Sequence, residues 1–343
     1  MSKPLRFPAE WEPQSAVLLA WPHEGTDWAE RLAGVERTYV ALVAAITRFQ
    51  PALVCVADAA LQERARGLLA DGGAAMERVR FFEVEYDDTW LRDSGPVTLR
   101  DGGGLRLLDF HFTAWGGKFE AGRDDQIVAK LHASGLLADA AHQRIDFALE
   151  GGGIETDGAG TLLSTWRCLH ERHPHLTREQ VTATLESALV QSRTLWLDRG
   201  YLEGDDTDAH IDTLARFAAP DALVFQACDD PADGHFAELQ AMAAEIAALR
   251  TASGQPYRLF ALPWAAPVLD EGRRLAASYA NFLIVNGAVL MPAYGDPKDN
   301  AAAAVLASAF PGREIVQIDC RPLIWQNGSL HCVTMQLPEG LLA

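Results

Sequence analysis

Residues 201–213, YLEGDDTDAHIDT, crowd Glu203, Asp205, Asp206, Asp208 and Asp212 around one histidine, His210. Like charges this close repel, so something must compensate: solvent, a metal ion or a cationic ligand. Imidazole titrates near neutral pH, which suits His210 to general acid or base work. Asp212 follows it by two residues. In a strand that spacing sends both side chains to one face, where one could grip a ligand nitrogen while the other moves a proton. The bland alternative is a histidine bridged to its neighbouring carboxylates for structure alone.

Four other reactive or polar side chains stand in Gly-rich or acidic surroundings. They are Asp93 in TWLRDSGP, Glu150 in LEGGG, Asn281 in SYANF and Cys332 in GSLHCVT. Ionised carboxylates only accept hydrogen bonds. Asp93, Glu150 and Asp212 gathered in one pocket would match the forked donors of a planar guanidinium. Trp90 lies just before Asp93, and Trp115 sits in TAWGGK. Indole faces attract cations, although either ring could equally be core or rim. A lone cysteine is usually an inert buried thiol. Cys55 and Cys228 sit in strand patterns, Cys320 ends a strand and Cys168 follows a hairpin. Cys332 differs from them by its place after the last repeat described below.

Metal readings are weaker. DDTDAHID lacks the glycine and the twelfth-position glutamate of a calcium loop. His170, His173 and His175 in HERHPH flank Pro174 between a hairpin and a helix cap, which reads as a solvated loop. No metal and no cofactor is expected. Nor does a G-x-G-x-x-G or a P-loop follow any strand.

The elements that must position these residues recur in a fixed order. GPVTLRDGGGLRLLDFHF reads as a hairpin, QIVAKLHASGLL as a helix and QRIDFALE as a strand. GGGIETDGAGTLLST, TREQVTATLESALV and RTLWLD repeat the order, the helix opening on a Thr177 N-cap with Glu179 completing a capping box. HIDTLARFAAPDALVFQAC, GHFAELQAMAAEIAALRTA and YRLFALP repeat it again. YANFLIVNGAVLMP, whose Asn-Gly is a strong hairpin signal, leads into DNAAAAVLASAF and EIVQIDC. The N-terminal SAVLLAWP, GVERTYVALVAAITRF and PALVCVAD fit the pattern, with an extra helix, LQERARGLLA, and strand, RVRFFEVEY. The unit is hairpin, helix, strand, about five times over at a period of roughly 50–70 residues. A doubly wound sheet would alternate single strands, not hairpins, with its helices. If the units surround an axis, Asp93, Glu150, His210, Asn281 and Cys332 converge on one central pocket.

The formal charge of −18 argues against nucleic acid and anionic membranes as partners, and it would attract small cations. The first residues lack the apolar core of a signal peptide, and no apolar run is long enough to span a bilayer. Five scattered cysteines with no C-x-x-C fit a cytoplasmic chain with free thiols.

The stretches FPAEWEPQSAVLLAWP, DDTWLRDSGP, FTAWGGKF, LEGGGIETDGAGTLLST, EGDDTDAHIDTLARF, YANFLIVNGAVLMPAYGDPKD and GSLHC run nearly the whole length of the chain. In content and order they resemble the agmatine deiminases, relatives of the bacterial peptidyl-arginine deiminases in the guanidine-modifying superfamily. The resemblance implies an α/β fold, the five-module α/β propeller or pentein, with residues 1–343 forming one catalytic domain. It implies Cys332 as nucleophile, His210 as acid and base, and Asp93, Glu150 and Asp212 as guanidinium-binding carboxylates. Trp90, Trp115 and Asn281 would complete the substrate pocket. The implied substrate is a small cationic guanidine, agmatine, and the expected assembly is a homodimer. Peptidyl-arginine or free arginine is the rival substrate, and a catalytically dead ligand-binding propeller the rival of another class. Two stretches depart from the family pattern. QNGSLHC replaces Gly-Gly-Gly-Asn-Ile-His-Cys, and Thr113 stands in FTAWGG where asparagine is usual.

Overall fold

A strand and its parallel neighbour cannot be joined by a tight turn; the chain must cross over, usually through a helix. Each repeat obeys this rule. In the computed structural model, which describes residues 5–343 apart from 101 and 103, Val97–Arg100 pairs antiparallel with Leu105–His111. The helix Ile127–Ala133 then leads to Ala140–Ala148, parallel to Leu105–His111. The turn expected at 101–104 lies partly outside the described residues, as do residues 1–4.

The same topology recurs in Ile154–Thr156, Thr161–Thr165 and Arg193–Leu197. It recurs in Ala215–Ala219, Ala222–Gln226 and Arg258–Leu262, and in Leu283–Val285, Ala288–Ala293 and Glu314–Asp319. The fifth sheet joins the two ends of the chain. Met335–Pro338 pairs antiparallel with Gln14–Ala20, which runs parallel to Ala52–Val56, and Val79–Glu83 adds a fourth strand. The architecture is the expected five-module α/β propeller. Cys332 therefore precedes the first strand of the fifth sheet rather than trailing the last unit. Asp93, Glu150, His210 and Asn281 stand in the same place before the other four.

Middle strands such as Thr161–Thr165, Ala222–Gln226 and Ala288–Ala293 are buried throughout, which accounts for their apolar centres and the absence of charged residues in them. Two local expectations are corrected. The capping box of the helix Arg178–Leu189 is closed by Gln180, the third residue after Thr177, not by Glu179. Asp93 lies in a single helical turn, Leu91–Ser94. His210 and Asp212 belong to a 3-10 turn, Ile211–Thr213 with His210 at its N-cap, so the alternation argued for a strand does not apply. A short ribbon, Leu269–Asp270 with Arg273–Arg274, carried no sequence signal.

Candidate active site

The loops before the five first strands meet on the axis. Each is tight for a steric reason. A Cβ on Gly151 would stand 2.2 Å from the Arg92 carbonyl oxygen, and one on Gly152 would stand 2.6 Å from His210 Nδ1 and 2.7 Å from Asp93 Oδ1. The glycines after Glu150 thus let three loops touch. The Arg92 amide donates to the Cys332 carbonyl (3.1 Å), which ties the turn of Asp93 to that of Cys332.

Asp93 Oδ1 accepts from the Gly152 amide (3.0 Å), and its Oδ2 accepts from the Trp115 indole N–H (2.9 Å). Burial pushes its carboxyl up to about 6, in spite of His210. His210 is fully buried, with Nδ1 3.6 Å from Asp93 Oδ1 and Nε2 3.4 Å from Glu150 Oε2. Burial alone would lower its imidazole, but Asp93, Cys168 and Glu150 outweigh it and hold it well above the usual range. Cys332 Sγ lies 3.5 Å from Asn281 Oδ1 and 3.8 Å from Asp212 Oδ2. Burial, then the Asp212 and Asp93 charges, push its thiol well up, so the resting group is a thiol. Asp212 Oδ1 is buried and makes no hydrogen bond among the described residues.

Around that centre a cavity of about 330 Å³ opens outward. Trp90, Phe112, Trp115 and Phe119 form its apolar wall, with Asp27, Asp88, Glu120 and Asp206 on its sides and Cys332 and Asp93 deep within. Its described lining contains no lysine or arginine. Arg92 and Lys118, the basic residues nearest the motifs, are engaged elsewhere. Arg92 donates to Gln336 Oε1 (2.7 Å) and faces Glu10, and Lys118 Nζ donates to Asp208 Oδ2 (2.7 Å). Trp90 and Trp115 stand in the wall as expected, their rings edge to face with centroids 6.5 Å apart. Asn281 lies beneath the wall, where its Oδ1 accepts from the His331 amide (2.9 Å).

Glu150 is less free than the sequence implies. Arg172 Nε donates to both its oxygens, at 2.8 and 3.1 Å. Burial raises the Glu150 carboxyl, but His210 and Arg172 more than offset that and hold it below the usual range. Its geometry is that of a partner for His210. The acid crowd of residues 201–213 is likewise answered mostly from within. Arg172 Nη1 and Lys118 hold Asp208, and Asp205 accepts from the amides of Thr207 and Ala209. Asp206 lines the cavity, while Asp212, beside Cys332 at its floor, pairs through Oδ2 with His331 Nδ1 (2.8 Å). His331 in turn meets Glu10, which joins Arg216 and Glu155 in a buried network behind the site. Arg172, His331 and Glu10 went unread in the sequence; only the adjacency of His331 to Cys332 hinted at any of them. Glu150, Cys168 and His210 offer three ligand atoms within 4.8 Å of one another, but Arg172 occupies both Glu150 oxygens. That donor set suits a proton network better than a cation.

The sequence profile of the Porphyromonas-type peptidyl-arginine deiminases matches residues 6–338. An agmatine deiminase of Pseudomonas aeruginosa is 36% identical over 360 aligned positions, covering 97% of this chain and 95% of that one. Among solved structures, a provisionally assigned arginine deiminase from Porphyromonas gingivalis is 46% identical with a TM-score of 0.93, covering 99% of this chain and all of that one. A substrate-bound agmatine deiminase variant from C. jejuni is 34% identical with a TM-score of 0.90, covering 99% and 97%.

Proposed function

The chain belongs to the Porphyromonas-type peptidyl-arginine deiminase family, and from that premise we propose that it hydrolyses agmatine to N-carbamoylputrescine and ammonia. The observation that carries the reading is a buried thiol, Cys332, between two carboxylates at the bottom of an acidic, aromatic-walled cavity without a basic side chain. A guanidinium is planar and cationic. Asp93 and the unpaired Oδ1 of Asp212 supply acceptors for its N–H groups. Its positive charge between those carboxylates reverses their effect on Cys332 and favours the thiolate, whose proton passes to solvent as the cation binds.

The thiolate forms a bond to the guanidinium carbon. His210, as imidazolium, gives its proton to the departing nitrogen, and ammonia leaves. An S-alkylthiouronium remains on Cys332. His210, now neutral, takes a proton from water as the water adds to that carbon, the C–S bond breaks and a ureido product leaves. Glu150 holds His210 in place for both proton transfers. Trp90 and Trp115, set edge to face, give the methylenes and the cation an aromatic wall to lie against. Asn281 orients the Cys332 loop. The modules that supply these groups span the chain, which supports treating residues 1–343 as one catalytic domain. No helix among the described residues is long and apolar enough to cross a membrane, and all five cysteines are free thiols, which supports a cytoplasmic setting.

The test is a colorimetric ureido assay over agmatine, free arginine and a peptidyl-arginine, with Cys332→Ser beside Cys168→Ser. Agmatine is expected to be the preferred substrate. Cys332→Ser should show no turnover, and wild-type enzyme should yield a trapped adduct of substrate mass on the Cys332 peptide. A wild-type rate from Cys332→Ser would overturn the nucleophile, and no turnover of any guanidine would overturn the reaction.

A further inference from the structure

Arg172 is a guanidinium built permanently into a site that takes guanidinium. Its side chain is almost wholly buried, and every nitrogen is used: Nε on both Glu150 oxygens, Nη1 on Asp208 Oδ2 (2.7 Å) and Nη2 on the Thr207 carbonyl (2.9 Å). Glu150 in turn faces His210 Nε2 at 3.4 Å. On the other side, Lys118 shares Asp208 Oδ2 with Arg172. Lys118 belongs to the segment that carries Trp115 and Phe119 into the cavity wall, and Trp115 holds Asp93. That segment keeps Ala114 and Trp115 at positive φ (48° and 57°), as the His210 loop keeps Asp208 and Ala209 (65° and 71°). Backbone this strained persists only where its surroundings hold it, and the shared partner here is the Lys118–Asp208–Arg172 cluster.

We propose that Arg172 is a positioning residue for the deimination: clamped by Asp208, it holds Glu150 against His210 and ties the aromatic wall to the proton-transferring side chain. The inference rests on the function proposed above. Arg172 touches neither the reacting carbon nor the cavity, so its effect passes through Glu150. Without it, burial dominates Glu150, which takes up a proton. A neutral Glu150 stabilises the imidazolium less, so His210 loses its proton at lower pH. The other groups facing His210 are Asp93, Cys168 and Asp212, and none of them contacts Arg172 by hydrogen bond among the described residues.

The experiment measures kcat, KM and the pH profile of kcat/KM with agmatine for Arg172→Gln, Arg172→Lys and Asp208→Asn. Asn tolerates the left-handed φ of position 208, so that variant removes the charge and spares the backbone. Arg172→Gln is expected to lose about a hundredfold or more in kcat with KM changed by about threefold or less, and to move the alkaline limb to lower pH. Arg172→Lys should recover part of kcat. Asp208→Asn should move kcat and the limb the same way by less, and it decides the matter if Arg172→Gln does not fold. An unchanged or upward-shifted limb, or a loss confined to KM, in a folded variant would overturn the inference. Failure of wild-type enzyme to turn over agmatine would instead overturn the function on which it rests.

Discussion

Cys332 and His210 rest as thiol and imidazolium, because burial and the Asp212 and Asp93 charges disfavour the thiolate while Asp93, Cys168 and Glu150 favour the cation. The site therefore waits for charge from the substrate before its nucleophile forms. The pH dependence follows with a definite sign. Asp93 must be ionised to hold a guanidinium, and its carboxyl is pushed up to about 6. As pH falls through that value the acceptor is lost, so kcat/KM for agmatine should decline below about pH 6. The opposite limb belongs to His210, whose proton is required for ammonia to leave. That proton is held well above the usual imidazole range, so the decline should start on the alkaline side of neutrality. A kcat/KM profile in buffers of constant ionic strength checks both limbs. A flat profile between pH 5 and 7 would remove Asp93 from guanidinium binding.

At the scale of the element, the site is made by loops that only glycine allows to touch. A methyl group on Gly152 would meet His210 Nδ1, Asp93 Oδ1 and Asp212 Oδ2, the last at 3.2 Å. Gly152→Ala should cost at least about a hundredfold in kcat, because it displaces three groups that must stay in register. Its stability cost should be about 1–3 kcal/mol, the usual range for overpacking. Gly67→Ala is the control. It lies inside the helix Ala59–Asp71 with nothing within 4 Å of the new methyl, so activity should stay unchanged and stability rise by up to about 1 kcal/mol. Denaturant melts beside steady-state rates separate the two. Equal activity in Gly152→Ala would mean that the loops have slack the packing does not show. Much of this was legible in the sequence, because hairpins, helices and parallel strands each carry a local period and the five polar residues stand at the same point of each unit. What stayed hidden is long-range and electrostatic. Arg172 finds Glu150 and Asp208, and His331 finds Asp212 and Glu10, by folding alone; no spacing announces a buried ion pair. The alternation argued for His210 and Asp212 suits a strand, but a turn is what aims them at the axis.

The whole molecule carries 47 acidic against 29 basic residues, and the cavity shares that bias. Asp88 is pushed up to about 7 by burial and by Asp27, so a cation entering beside it favours its ionised form. Agmatine brings two positive charges, arginine adds a carboxylate to them. That carboxylate would be desolvated beside Asp88 and Asp206 with no lysine or arginine in the described lining, and Lys118 is committed to Asp208. An unpaired charge in a pocket costs several kcal/mol, so kcat/KM should favour agmatine over arginine by about a hundredfold or more. The same field makes the preference sensitive to salt. Screening shortens the reach of surface charge to about 10 Å at 0.1 M ionic strength. Raising salt well above that should lower kcat/KM for agmatine by several-fold, while butylguanidine, a single cation without the distal amine, should fall less. Stopped assays of the three guanidines at low and high sodium chloride give the comparison. Arginine used as well as agmatine at low salt would show that a cation reaches the cavity mouth in solution. A salt-independent preference would place the discrimination wholly in contacts at the distal end, not in the field of the molecule.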